Sequence, residues 1–274
     1  LRHTVTTELV MKILVTVKEI ADVADDFEIA DNEIDETYLE YDLNEWDDYA
    51  VEEGVQLRED DLADEVVAAT IGPERSEETI RMALAKGADR AVRVWDDAIE
   101  AQDLLDVETK AEIFAAIVEE EEPDLVLTGV QANDDSFGAT GVALAERIGY
   151  DWAAVVNGLE MDTDEGVAHV RRELEGGVEE LTDVDVPAVL TIQTGINEPR
   201  YASLRGIRQA QQKEIAPKTL DDIGLAPEVL DSPIALTEMY EPESESDATF
   251  FEGDAGEQAD QLAELLRDEG VVDA

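Results

Sequence analysis

Short, nearly continuous apolar runs recur along this chain, each followed by a segment with helical spacing, and that alternation leaves few folds open. Lys12-Ile-Leu-Val-Thr-Val-Lys18 is the first such run, as expected of a strand buried on both faces. Glu65-Val-Val-Ala-Ala-Thr-Ile71 is the second, stopped by Gly72-Pro73. Arg90 to Trp95, Asp124 to Gly129 and Pro187 to Gln193 continue in the same style. Between them, Asn44 can cap a helix carrying Trp46, Ala50, Val51 and Leu57. Ile80, Ala83, Leu84 and Gly87 keep the i, i+3, i+4, i+7 rule, with Gly87 as C-cap. Ala111 to Val118 and Val142, Leu144, Ala145 and Ile148 give two more helices. Strand and helix alternating this way predict an α/β fold: a doubly wound, mostly parallel sheet covered on both faces.

Elsewhere the pattern changes. Residues 22–42 are acidic and weakly patterned, as for a loop with an edge hairpin. Trp152 to Leu159, Val167 to Leu174 and Val178 to Leu181 read as a small antiparallel excursion turned by Gly176-Gly177. Asn197 to Gln212 is a loop passing into a helix. From Thr219 the chain is rich in Pro and acids until an amphipathic helix at Gln258 to Leu266, which suits an arm for a partner. The expected organisation is a leader or tag at 1–10, one nucleotide-binding domain at 11–218, and an acidic arm at 219–274. No apolar run is long enough to cross a bilayer.

Composition removes whole classes of chemistry. The chain carries 71 Asp and Glu against 19 Lys and Arg, a formal charge of -52. Such a surface repels phosphate backbones and anionic lipid, so neither nucleic acid nor a membrane is an expected partner. The acids are spread along the whole chain, which fits a surface adapted to concentrated salt and a halophilic cytoplasm. There are no cysteines, so disulfides, thiolate nucleophiles, iron–sulfur clusters and Cys-ligated zinc are excluded. His3 and His169 are the only histidines; His169 sits in a strand pattern and reads as structural. No metal site and no catalytic triad is expected. Neither GxGxxG nor GxxxxGK[ST] occurs.

In a parallel α/β sheet a ligand binds beyond the carboxyl ends of the strands. Thr16-Val17-Lys18, Ile71-Gly72-Pro73 and the long segment from Gly129 to Gly141 are the strand ends suited to one. The last runs Gly129, Val130, Gln131, Ala132, Asn133, Asp134, Asp135, Ser136, Phe137, Gly138, Ala139, Thr140 into a helix N-terminus. Backbone amides and the helix dipole there suit a phosphate, with Ser136 and Thr140 as hydroxyl donors. The same residues have a plainer use, in which Asp134, Asp135 and Ser136 only cap the helix. Spacing leaves both readings open.

With this loop and the segments C-terminal to it, the chain resembles the beta subunit of electron transfer flavoproteins from about Met11 to its end. The most specific stretch is Asn197-Glu-Pro-Arg-Tyr-Ala-Ser-Leu204, with Ile207 and Ala210 after it. Ala50-Val-Glu-Glu53, Gly72-Pro73 before Glu78-Thr-Ile-Arg81, Ala88-Asp-Arg90 and Arg172-Glu173 before Gly176-Gly177 support it in the same order. The resemblance implies a fold like that of the adenine nucleotide alpha hydrolases and a heterodimer with an alpha subunit that holds most of the redox FAD. It implies an AMP site in this chain formed by Thr16, Asn44, Glu45, Trp46, Asp47, Ile71 and the loop from Gly129 to Thr140. It also implies a segment that docks flavin dehydrogenases, with Arg200, Tyr201, Ala202, Ser203 and Ile207 around an anchor at Leu204. Glu173 matches an acidic residue near the flavin and in contact with alpha. Electrons would pass from dehydrogenases, those of fatty acid oxidation among them, to a quinone oxidoreductase.

This sequence departs from the family pattern at Ala139, where Gln is usual, at Phe137-Gly138, and at Glu45, where Pro usually comes after Asn. AMP and a second FAD, the latter for a bifurcating protein, therefore both stand as occupants. Gln209-Ala-Gln-Gln-Lys213 replaces a lysine-rich run. The competing class is a stand-alone adenine-nucleotide-binding regulatory module like the universal stress proteins. It needs a GxxGxxxxG-like loop that is absent, and it leaves Asn197 to Leu204 unexplained. A hydrolase built on carboxylates alone has no positioned nucleophile.

Overall fold

The computed structural model describes residues 11–241 and 248–271. The expected leader at 1–10 lies outside them. In chain order the strands begin with β1 (Lys12–Thr16), β2 (Glu19–Val23), β3 (Ile29–Ala30), β4 (Glu33–Ile34) and β5 (Leu39–Leu43). Helix α1 (Glu45–Glu59), β6 (Glu65–Ile71), α2 (Glu77–Lys86) and β7 (Arg90–Val94) come after them. Next are α3 (Asp97–Glu100), α4 (Val107–Glu121), β8 (Leu125–Gly129) and α5 (Thr140–Ile148). The antiparallel part is β9 (Asp151–Asp162), β10 (Val167–Leu174) and β11 (Val178–Asp185), after which β12 (Ala188–Ile192), α6 (Leu204–Ala210) and β13 (Ile215–Lys218) complete the sheet region.

The main sheet has nine strands in the order β11-β10-β9-β12-β8-β1-β6-β7-β13. Every pair from β9 to β13 in that order is parallel, and β10 and β11 extend it antiparallel at the β9 side. In β1, with Val15 opposite Ala68 of β6 and Leu127 of β8, successive side chains go to opposite layers. Ile13 and Val15 pack with Val51 and Val55 of α1 and Ile80 and Leu84 of α2. Leu14 packs with Phe114 and Ile117 of α4 and Leu144 of α5. Both faces are covered, which is why the central strands read as unbroken apolar runs. Gly87 is the C-cap of α2, with φ of 148°, as its place after the helical pattern predicts.

Two features differ from the sequence reading. The 19–43 region forms two separate antiparallel ladders, β2 with β5 and β3 with β4, and adds nothing to an edge of the main sheet. β13 was not expected: Ile215-Ala-Pro-Lys218 has Pro217 in it, which only an edge strand tolerates, and the strand is the sheet edge beside β7. The first compact unit runs to Glu238, with Leu220 and Leu230 buried in the α4 layer. The second unit, from Met239, contains α7 (Ala255–Asp268), opened by a capping box of Asp254 and Glu257. No described helix is long and apolar enough to cross a membrane.

Candidate functional site: the β1–β8 crevice

The chain leaves β1 for β6 on one side and reaches β8 on the other, so the order of strands reverses between β1 and β8. Ligands of open α/β sheets bind at such a reversal. Thr16 is buried at the end of β1, and Thr70 beside it donates from Oγ1 to the Val17 carbonyl at 2.6 Å. Ile71 is half-buried at the end of β6.

Helix α1 begins across the two strand ends. The buried Asp47 carboxylate accepts from the Lys18 N–H at 2.8 Å and from the Gly129 N–H at 3.0 Å, tying β1 to β8. Burial pushes its carboxyl up to about 7, against the opposing effects of Asn44, these two amides and the Lys18 charge. Trp46 donates from Nε1 to Gln193 at 3.0 Å, while Glu45 is exposed. Asn44 occupies the N-cap position, yet its side chain makes no cap bond. It reaches across instead, donating from Nδ2 to the Gln131 carbonyl at 2.9 Å, and its Oδ1 is buried with no partner. A buried acceptor left this way costs roughly 1–3 kcal/mol until a donor arrives.

Opposite lies the loop after β8. Lys18 donates to Asp134 at 2.6 Å and to Asp135 at 2.8 Å, and Lys110 of α4 donates to Asp135 at 2.6 Å while standing 4.8 Å from the Phe137 ring centre. Burial alone would raise the Asp135 carboxyl; the two lysines outweigh it and hold it below its usual value. Ser136, at φ of 52°, donates from N–H and Oγ to the carbonyl of the buried Ala132. Gln131, Asn133, Asp134, Ser136 and Gly138 are exposed, and Val130, Phe137, Ala139 and Thr140 are half-buried. The capping use of Asp134, Asp135 and Ser136 is not what the structure shows. The N-cap of α5 is Ala139, no side chain caps it, and the carboxylates serve lysines. The first amides of α5 are thus left without a side-chain cap.

A second assembly forms where the chain leaves β12. Asn197 donates from Nδ2 to the Tyr49 carbonyl at 3.1 Å and to Glu53 at 2.9 Å. Arg200 grips α1, with Nε to Glu52 Oε2 at 2.8 Å, Nη2 to Glu52 Oε1 at 3.0 Å, and Nη1 and Nη2 to Glu59 at 2.7 and 2.8 Å. Ser203 caps α6 by accepting from the Gly206 N–H at 3.0 Å. Ala202 is half-buried, whereas Tyr201 is 99% exposed, Leu204 78% exposed and Ile207 also exposed.

A family model described as electron transfer flavoprotein domain matches residues 31–223. The chain is 44% identical over 264 residues to an electron transfer flavoprotein subunit beta of Methylophilus methylotrophus, covering 94% of this chain and 98% of that one. It is 34% identical to the mitochondrial subunit beta of Oryza sativa subsp. japonica and 31% identical to the subunit beta of Bacillus subtilis, covering 96% of this chain and 100% of theirs in each case. The chain belongs to the electron transfer flavoprotein beta subunits. Its role is that of an electron-carrier subunit, not a hydrolase, and beta subunits of this family pair with an alpha subunit.

The remaining expected residues of this beta subunit fall elsewhere. Glu173 is exposed on β10, separated from β8 by β9 and β12, and faces Glu179 in register. His169 is exposed and pairs through Nδ1 with Asp183 at 2.7 Å across the β10–β11 ladder. Sequence reasoning does not single out Lys110, which bonds Asp135, or Gln193, which accepts from Trp46. Lys110 is one lysine in an ordinary helical pattern, and only the fold brings it over Asp135.

Proposed function

We propose that this beta subunit pairs with an alpha subunit around a redox FAD, keeps an adenine nucleotide in its β1–β8 crevice, and passes electrons from flavin dehydrogenases toward a quinone oxidoreductase. The observation that carries the nucleotide is the buried, unpartnered Oδ1 of Asn44, an acceptor at the N-cap of α1 whose Nδ2 holds the Gln131 carbonyl in the loop leading to the uncapped start of α5. An adenine amino group or a ribose hydroxyl supplies the missing donor, and a phosphate satisfies the helix amides. Thr16, Asn44, Trp46, Asp47, Ile71 and the segment from Gly129 to Thr140 would line it. AMP is the occupant we assign, and a second FAD is an outcome of the test.

The flavin supplies the electron chemistry when bound. This chain's own residues hold geometry: Asp47 ties the two strand ends, and Lys18 and Lys110 hold the loop through Asp135. The exposed Leu204 and Tyr201 are the docking surface for dehydrogenases, the acidic unit from 239 onward embraces alpha, and the assembly works in the cytoplasm.

The test is to purify the heterodimer in high salt, denature it and identify the released nucleotides. One FAD and one AMP per heterodimer support a simple carrier, and two FAD a bifurcating one. FAD alone, with no second nucleotide, rejects the crevice as a nucleotide site. Thr140→Arg, which places a long side chain at the first residue of α5, is expected to empty the crevice and leave the other FAD in place.

A further inference from the structure

Arg200 opens the segment read as a docking surface, in a chain whose formal charge is -52, and an arginine there would be a natural steering charge for an acidic partner. Its geometry says otherwise. The guanidinium is turned onto α1, bidentate to Glu52 and bonded again to Glu59, and the Arg200 N–H also donates to Glu52 at 3.1 Å. Glu52 cannot touch a partner, since its side chain is 4% exposed. It is nonetheless held ionised: burial would raise its carboxyl, and the bonds from Arg200 and Gln56 bring it below its usual value. Beside this fork, Asn197 fastens the start of the segment to Glu53 and to the Tyr49 carbonyl. Tyr201 and Leu204 come immediately after this clasp, and both stand out from the core.

We propose that Arg200 is a positioning residue for electron transfer: its fork onto Glu52 and Glu59 holds residues 197–204 on α1, so that Tyr201 and Leu204 meet the dehydrogenase already ordered. The proposal rests on the reading of that segment as the docking surface. A segment ordered before encounter loses less conformational freedom on binding, and a bidentate guanidinium fixes orientation as well as distance. Arg200 thereby acts through its neighbours and makes no contact with the dehydrogenase itself.

The experiment uses the heterodimer as electron acceptor for a flavin dehydrogenase that reduces the unaltered protein, reading KM for the heterodimer and kcat. Glu52→Gln, Arg200→Gln, Arg200→Lys and Leu204→Ala are compared, with reduction by dithionite as a readout that needs no docking. Glu52→Gln and Arg200→Gln are expected to raise KM alike, by about tenfold, with dithionite reduction unchanged. Arg200→Lys keeps the charge and loses the fork, so it should behave as Arg200→Gln does. In a Leu204→Ala background Arg200→Gln should add little. A raised KM in Arg200→Gln with a normal one in Glu52→Gln overturns the proposal, as does full rescue by lysine, since either would place the charge against the partner. The lysine comparison decides the matter if Glu52→Gln does not fold. A normal KM in Leu204→Ala rejects the docking surface itself, whereas a raised KM there beside a normal one in both Arg200 variants rejects only the positioning role.

Discussion

Asp47 and Gly129 compete for one volume at the mouth of the crevice. The Asp47 Oδ1 accepts from the Gly129 N–H at 3.0 Å, and a Cβ on residue 129 would stand 2.5 Å from that same oxygen and 2.7 Å from the Trp46 Cβ. The carboxylate cannot swing aside, because its other oxygen holds the Lys18 N–H. Gly129 is needed for this close approach, and its φ plays no part. Gly129→Ala is therefore expected to force α1 away from β8, costing about 1–3 kcal/mol in urea unfolding. The nucleotide proposed for the crevice should be lost with it. Wild-type stability together with a full complement of nucleotide would show that the contact yields cheaply.

Asp47 also sets a pH dependence. Its folded carboxyl is pushed up to about 7 from an ordinary 3.8, so between those values the folded state binds a proton that the unfolded state has released. The stabilisation is complete below the unfolded value and is lost as pH rises through about 7. Glu53, raised by burial, adds to the same slope. Glu52 and Asp135 are lowered and work the opposite way, their contributions present above the unfolded value and lost as pH falls through the folded one. Urea unfolding between pH 5 and 8 is expected to show stability declining with pH, and Asp47→Asn to flatten that decline. An unchanged slope in Asp47→Asn would assign the titration to other groups.

The parts of this fold legible in the sequence are those in which burial writes a pattern. β6 runs Glu65–Ile71 and β10 runs Val167–Leu174, as their patterning predicts, because a strand covered on both faces and one alternating against a neighbour each mark their residues. β13 left no such mark: four residues with a proline, half-buried at an edge, look like the loop around them. The site divides along the same line. Its backbone parts were visible as glycine-bearing strand ends. Its side-chain parts were not, since Lys18 is 117 residues from Asp135 and Arg200 is 148 from Glu52, and no local periodicity records a contact at that range. The acidic pair Asp134-Asp135 was uninformative among 71 acids until two lysines were seen to converge on it.

A similar crowding governs α6, which begins at Leu204. A Cβ on Gly206 would lie 2.3 Å from the Ala85 carbonyl oxygen, a backbone atom that cannot rotate out of the way. Arg81 donates to the carbonyls of Ala210 and Lys213 and holds the other end of α6 on α2. Gly206→Ala is expected to lift the front of α6 and raise KM for the dehydrogenase, with nucleotide content intact. A variant with wild-type transfer kinetics would mean that the placement of α6 on α2 does not matter for docking.

Salt should stabilise this protein strongly. Each of the 19 basic residues could pair with an acid and 52 carboxylates would still lack a cation, so repulsion dominates the surface. Raising ionic strength from 0.1 to 1 M shortens the screening length from about 10 to about 3 Å and removes most of that repulsion. Salt also weakens exposed ion pairs such as Arg171 with Glu179, but each is worth only about 0–1 kcal/mol. The half-buried chain of Lys18, Asp135 and Lys110 is screened less and persists. The melting temperature is therefore expected to climb through the molar range, equally in NaCl and KCl if screening is the cause. A rise in one salt alone would point to a specific cation site, and a flat or falling Tm would show that the carboxylates are no burden to the fold.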